Sequence, residues 1–130
     1  MRATARIALL LSVLVTWMAP AAANDFEHVW TCTINAGHNL DEVRASGSEW
    51  LKAAHSMPGG EAVQLVIRWP IAVPGSAESF EFVMRAPSLS AWGRFYDGYD
   101  PDSPAGKADA AFARIATCTG STLWEHIRIE

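Results

Sequence analysis

Cysteine is almost missing from this 130-residue chain, which carries only Cys32 and Cys118. A single pair cannot build a four-cysteine zinc site, and the two lie too far apart for a Cys-x-x-Cys redox motif. The histidines His28, His38, His55 and His126 supply no close-spaced ligand pair either, so neither metal nor cofactor is expected. Positive charge is scarce too, with 10 Lys and Arg against 14 Asp and Glu. An acidic chain of this kind disfavours polyanions, and nucleic acid is not an expected partner. Ser46, Ser48, Ser76, Ser79 and Ser121 stand in no nucleophile-elbow context. Asp97, Asp100 and Asp102 lack the alternating order and closing Glu of a calcium loop and read as a solvated turn. No catalytic residue is assigned.

Long apolar runs are also absent, with one exception. Arg2 and Arg6 precede the run Ile7 to Met18, which is followed by Pro20 and by Ala21, Ala22 and Ala23. A basic n-region, a short apolar stretch and an Ala-x-Ala site make residues 1–23 a signal peptide in this reading, and leave 24–130 as one domain of 107 residues (130 − 23). Both arginines lost with it leave 8 basic residues against 14 acidic ones, a net charge near −6. The expected product is exported, periplasmic or extracellular, with no membrane span after cleavage. In that compartment Cys32 and Cys118 are expected to pair as a disulfide.

The remaining chain alternates between two periods. Phe26 to Ile34 puts Phe26, His28, Trp30, Cys32 and Ile34 on one side and Val29, Thr31 and Thr33 on the other, a strand pattern. Asn39, three residues before Glu42, heads a capping box, and a helix is predicted from about Leu40 to Met57, weakened at Gly47 and stopped by Pro58-Gly59-Gly60. Ala62 to Val73 reads as a second strand ending around Pro70, Pro74-Gly75-Ser76 as a turn, and Ser79 to Arg85 as a third strand completing an antiparallel hairpin. Pro87 to Pro104 reads as an irregular stretch holding one short helix begun by Ser88 or Ser90. Ser103 and Pro104 then open a second helix running to about Ile115. A turn at Thr119-Gly120-Ser121 leads into a last strand, Leu123 to Ile129.

The order β-α-β-β-α-β predicts an α+β, ferredoxin-like antiparallel sheet with its helices on one face and an irregular insertion before the second helix. In that topology the first and last strands are neighbours, which brings Cys32 to Cys118 independently of the compartment argument. With helices on one face only, the other face needs cover, and a homodimer packed through it is expected.

Trp30-x-Cys32, the helix start Gly37-x-Asn39-Leu40-Asp41-Glu42-Val43, Trp50, the strand reaching Pro70, Phe80-x-Phe82 and the late Cys118 together resemble a group of small exported bacterial proteins of unassigned function, similar in turn to the dimeric α/β-barrel superfamily. The resemblance implies the ferredoxin-like fold and sheet-to-sheet dimers. It implies no single activity, since that superfamily includes cofactor-free monooxygenases, haem-degrading enzymes, isomerases and proteins without known chemistry. Haem-degrading members use an Asn near the first strand, a Trp, and a His on the second helix. Asn35 could stand for the first, but the helix from Ser103 to Ile115 has no His.

Aromatic density peaks between Trp92 and Tyr99, with Phe95 and Tyr96 between them. These rings either plug the end of the core or line a ligand or partner surface, with Trp92 and Phe95 expected inside and Tyr96 and Tyr99 at the surface. If there is a pocket, Trp69, Phe82 and Arg94 complete its expected wall, the guanidinium suiting a carboxylate or a planar polar ligand. Two function classes follow. The favoured one is a non-enzymatic binding or assembly module taking a small-molecule ligand or protein partner. The alternative is a cofactor-independent α/β-barrel-type enzyme acting on a small, mostly apolar substrate. Convergent polar residues inside a sheet-and-helix pocket would favour the enzyme, and a filled core the module.

Overall fold

The computed structural model describes residues 25–72, 79–127 and 129. The signal-peptide reading and the turn at Pro74-Gly75-Ser76 lie outside the described residues. The elements run β1 (Phe26–Ile34), α1 (Leu40–His55), β2 (Gln64–Arg68), β3 (Ser79–Ala86), α2 (Leu89–Asp97), α3 (Pro104–Phe112) and β4 (Ala116–Glu125). The strands form one antiparallel sheet in the order β2-β3-β1-β4, the ferredoxin-like arrangement.

Local chemistry places the helices. At the start of α1, Asn39 Oδ1 accepts from the backbone N–H groups of Asp41 and Glu42, while Glu42 Oε2 accepts from the Asn39 N–H at 2.9 Å. That satisfies donors a helix N-terminus otherwise leaves bare. Val43, Gly47, Trp50 and Ala54 form its buried stripe. A Cβ at Gly47 would come 3.3 Å from Leu65 Cδ2, so this glycine lets α1 lie close on the sheet and its low helix propensity is offset by packing. The helix ends at His55 with Ser56 as its C-cap, two residues short of the expected Met57, and a Cβ at Gly60 would collide with the Ala54 carbonyl oxygen. Ser88 caps α2, and Ser103 caps α3 with Pro104 at its first helical position. Asp100 Oδ1 accepts from the N–H groups of Asp102 and Ser103, which gives the acidic turn a structural purpose.

The short helix expected within Pro87 to Pro104 is α2, capped by Ser88, and it takes half of that stretch. Two expectations about elements are corrected. The second strand covers only Gln64–Arg68. The turn expected at Thr119-Gly120-Ser121 is part of β4, which pairs with β1 from Ala116 to Glu125. Gly120 sits in that ladder with φ +68°, where the register shifts opposite Trp30 and Thr31, so the local signal of a turn is a bulge within a strand. Cys118 therefore lies inside β4, directly opposite Cys32, and the two are disulfide-bonded with Cα atoms 3.9 Å apart.

Even-numbered residues of β1 and β3 face the helices and make the core, where Cys32, Phe80, Phe82 and Met84 meet Val43, Trp50, Phe95 and Phe112. The opposite face carries Val29 and Val83, cross-strand partners and both buried, with Glu27 beside them. Glu27 has a side chain only 2% exposed and meets two guanidinium groups and an imidazole: Arg85 Nε at 2.7 Å from Oε1, Arg68 at Oε2, and His126 Nε2 at 3.2 Å. Arg68 also reaches Glu81 opposite it on β3 at 2.9 Å. Arg68 thus links Glu81 and Glu27 on this side of the sheet.

Candidate functional site

A cavity of about 440 Å³ lies between the helices and the sheet, within the range of small-molecule sites. Trp30 on β1, Phe82 on β3, Trp50 on α1 and Phe112 on α3 make its apolar walls, and Ala113, Ala116 and Cys118 border it toward β4. Four polar side chains join them: His28, Tyr96, Tyr99 and Asp109. Strand alternation accounts for His28, which shares the helix-facing side of β1 with Trp30 and Cys32 and stacks on Trp30 at a 3.9 Å ring separation.

Helical spacing supplies its partners. Trp92 and Tyr96 are four apart on α2, hence on one side of that helix, and both reach His28 Nδ1. The Trp92 indole is a donor only, and its Nε1–H points at Nδ1 from 3.4 Å; the Tyr96 hydroxyl lies 2.8 Å from the same nitrogen. A nitrogen facing an obligate donor must accept, so the proton of the neutral imidazole is assigned to Nε2 and Tyr96 donates to Nδ1. Burial lowers the His28 pKa below its ordinary value near 6.5, which keeps the ring neutral around pH 7. Burial, reinforced by Tyr99 and Asp109, raises the Tyr96 hydroxyl well above the usual phenol range, so Tyr96 stays protonated. Just past α2, the Tyr99 hydroxyl donates to Asp109 Oδ2 on α3 at 2.8 Å; burial is the main cause of its raised pKa and the Asp109 hydrogen bond the second. The site thus holds a neutral His–Tyr pair able to accept a proton and a Tyr–Asp pair carrying negative charge.

Of the residues expected around a pocket, Phe82, Tyr96 and Tyr99 line the cavity. Trp92, half-buried rather than buried, backs it by holding His28. Phe95 is fully buried in the core, against Trp50 and Tyr96. Trp69 and Arg94, expected in the wall, lie elsewhere. Trp69 stacks on Phe80 and borders a separate, shallower depression beside Arg68 and Glu81. Arg94 is exposed and outside the cavity, because it falls on the opposite side of α2 from Trp92 and Tyr96. Tyr96 and Tyr99 are half-buried and turned to the cavity rather than to solvent.

Sequence reasoning missed His28, Trp30, Trp50, Asp109 and Phe112 as wall residues. Asn35, weighed as a haem-chemistry position, is occupied elsewhere: its Nδ2 donates to the carbonyls of Ala113 and Arg114 and its Oδ1 accepts from Thr117, closing the end of α3. Among the described residues no group of three or more His, Cys, Asp or Glu side chains is placed to hold a metal ion.

No family model and no curated protein sequence matches the chain. Solved structures do. A variant of SnoaB, a cofactor-independent oxygenase from Streptomyces nogalater, superposes with a TM-score of 0.57 at 12% identity, covering 82% of this chain and 97% of its own. A Bacteroides thetaiotaomicron protein of unknown function, described as a possible oxidoreductase, gives 0.53 at 7% identity, covering 81% of this chain and 100% of its own. A Chloroflexus aurantiacus protein provisionally named an antibiotic biosynthesis monooxygenase gives 0.50 at 14% identity, with 82% and 96% covered. At such identities the likeness is one of fold, and the solved structures that share it include both a cofactor-independent oxygenase and a protein of unknown function.

Proposed function

We propose that the cavity takes a small, mostly apolar substrate and that His28 and Tyr96 act on it as a proton-accepting pair, making the chain a cofactor-independent enzyme of the α/β-barrel type. The observation that carries this reading is the 2.8 Å contact between the Tyr96 hydroxyl and a half-buried, neutral His28 in the wall of an apolar cavity. Convergent polar groups in such a pocket favour the enzyme over the binding module, which would need no lowered histidine pKa.

The step is a proton relay. An acidic O–H or C–H bond of the substrate breaks and its proton passes to Tyr96 Oη, while the Tyr96 proton passes to His28 Nδ1. The bonding pair stays on the substrate as an anion, and His28 becomes an imidazolium that Nε2–H and Nδ1–H leave fully protonated. Trp92 fixes the tautomer that makes Nδ1 the acceptor. A fold neighbour described as a cofactor-independent oxygenase is compatible with chemistry carried by side chains alone.

The test uses 2-tetralone, an aromatic ketone with acidic C–H bonds, in deuterated buffer. The protein is expected to accelerate deuterium uptake next to the carbonyl, followed by proton NMR, and His28→Ala and Tyr96→Phe are expected to lower that rate about 10²-fold or more. The acid limb follows from His28. Its folded pKa lies below 6.5, so activity is full above that value and falls as pH drops through the lowered pKa. The same shift makes the unfolded chain the stronger proton binder, so the His28 contribution to stability falls over the same range. A rate equal to that of buffer, or undiminished in both variants, overturns the enzymatic reading.

Export and pairing of two copies belong to the same proposal. The disulfide is consistent with an oxidising compartment. The sheet face bearing Val29, Thr31, Thr122 and the 57% exposed Trp124 is the surface proposed to meet a second copy. Sedimentation of residues 24–130 at micromolar concentration is expected to give twice the monomer mass of about 12 kDa. A monomer, or a dimer unaffected by Trp124→Lys, removes this face as the interface.

A further inference from the structure

We infer that the cavity is selective for a small organic cation, an ammonium group carried on an apolar skeleton, with Asp109 and the surrounding aromatic rings as its recognition elements. The inference rests on the reading of the cavity as a ligand site and specifies its chemistry.

The argument starts from charge. Neither Lys nor Arg is among the lining side chains, and the one cation expected there from sequence, Arg94, lies outside on the exposed side of α2. His28 adds no charge near neutral pH, since its Nδ1 faces two donors and its ring is desolvated. The single formal charge of the wall is therefore the Asp109 carboxylate. It is positioned by the 2.8 Å hydrogen bond from Tyr99, which takes up Oδ2 alone. Its field extends inward: Asp109 is among the causes that raise both Tyr96 and Tyr99. An anionic ligand would face this carboxylate with no counter-ion, whereas a cation would be drawn to it.

The rest of the wall suits the same charge. Trp30, Trp50, Phe82, Tyr96, Tyr99 and Phe112 supply six aromatic rings, packed at varied tilts: Phe82 and Phe112 meet at 54° and Tyr96 and Tyr99 at 39°. The negative face of an aromatic ring attracts an ammonium group, so a wall built of several rings favours one. Carboxylate at the rim and rings within is an arrangement that rewards positive charge twice and penalises negative charge. A neutral apolar ligand would gain only burial.

Three probes of one shape separate these cases: choline, its uncharged counterpart 3,3-dimethylbutan-1-ol, and the anion 3,3-dimethylbutanoate. Binding to residues 24–130 is followed through the indole N–H resonances of Trp30 and Trp50 at pH 7.5 and low salt. Choline is expected to bind about tenfold more tightly than the alcohol, and the anion more weakly than either. Asp109→Asn is expected to reduce choline affinity several-fold while leaving the alcohol unchanged, and a circular dichroism melt confirms that the variant is folded. Equal binding of choline and the alcohol, or tighter binding of the anion, overturns the inference while leaving the cavity as a ligand site. Saturation of the Trp30 and Trp50 resonances by none of the three overturns the cavity reading as well.

Discussion

Reducing the Cys32–Cys118 bridge is expected to lower the unfolding free energy by about 2 to 5 kcal/mol, a large part of the roughly 5 to 15 kcal/mol a small domain has. The bridge spans a sequence separation of 86 residues, so its removal releases most of the chain in the unfolded state. Within the fold, the loss is expected to fall on β4. That strand lies at the sheet edge, and every residue from Thr117 to Glu125 is exposed, so it is tied to β1 by its backbone ladder and the disulfide with little side-chain burial to help. Amides of β4 should therefore gain hydrogen exchange on reduction before those of β3, which is central and buried. Urea unfolding of the oxidised protein and of a Cys32→Ser, Cys118→Ser double variant measures the total. A midpoint shift within error would mean that β4 is held by something other than the bridge.

The exposure of β4 also explains why its extent could not be read from sequence. A half-buried strand announces itself by alternation, but Thr117 to Thr122 has no buried side to alternate with, and its Gly120 imitates a turn. Pairing with β1 overrides that local signal. Where burial does alternate, the pattern was legible: Phe80, Phe82 and Met84 face the helices as their spacing requires, and Asn39, Ser88 and Ser103 cap the helices that follow them. The aromatic stretch holds the expected short helix and the buried Phe95, but which of its other rings turn inward follows from period rather than composition. Trp92, Phe95, Tyr96 and Tyr99 stand at i, i+3, i+4 and i+7, the spacing of one helix side, and Arg94 falls outside it. The same parity that placed Trp30 and Cys32 inward put His28 with them, so its inward position was readable, whereas its partners were not. Asp109 is ten residues from Tyr99 on another helix, and only tertiary packing makes them neighbours.

Alanine substitution along α2 should separate core from site. Phe95→Ala is expected to cost about 3 to 5 kcal/mol, because the ring is wholly buried against Trp50, Tyr96 and Tyr99 and its loss leaves a cavity. Tyr96→Phe keeps the ring and removes only the hydroxyl. The cost is then that of one hydrogen bond to a half-buried histidine, about 0.5 to 1.5 kcal/mol, with Trp92 still facing His28 Nδ1. Tyr99→Phe should cost less again, since Asp109 is exposed and water can replace the lost donor. The order of these effects is the informative quantity. Thermal melts in which Phe95→Ala is destabilised far beyond the two hydroxyl deletions would mean that Tyr96 and Tyr99 hold their polar groups in the cavity wall at little structural cost. If Tyr96→Phe instead destabilises as much as Phe95→Ala, the His28–Tyr96 contact is a folding interaction and the relay loses its physical basis. An intermediate Tyr96 effect accompanied by a raised His28 pKa in NMR titration would show that this hydroxyl does not support the neutral ring merely by packing, because deleting a donor to Nδ1 makes protonation there easier.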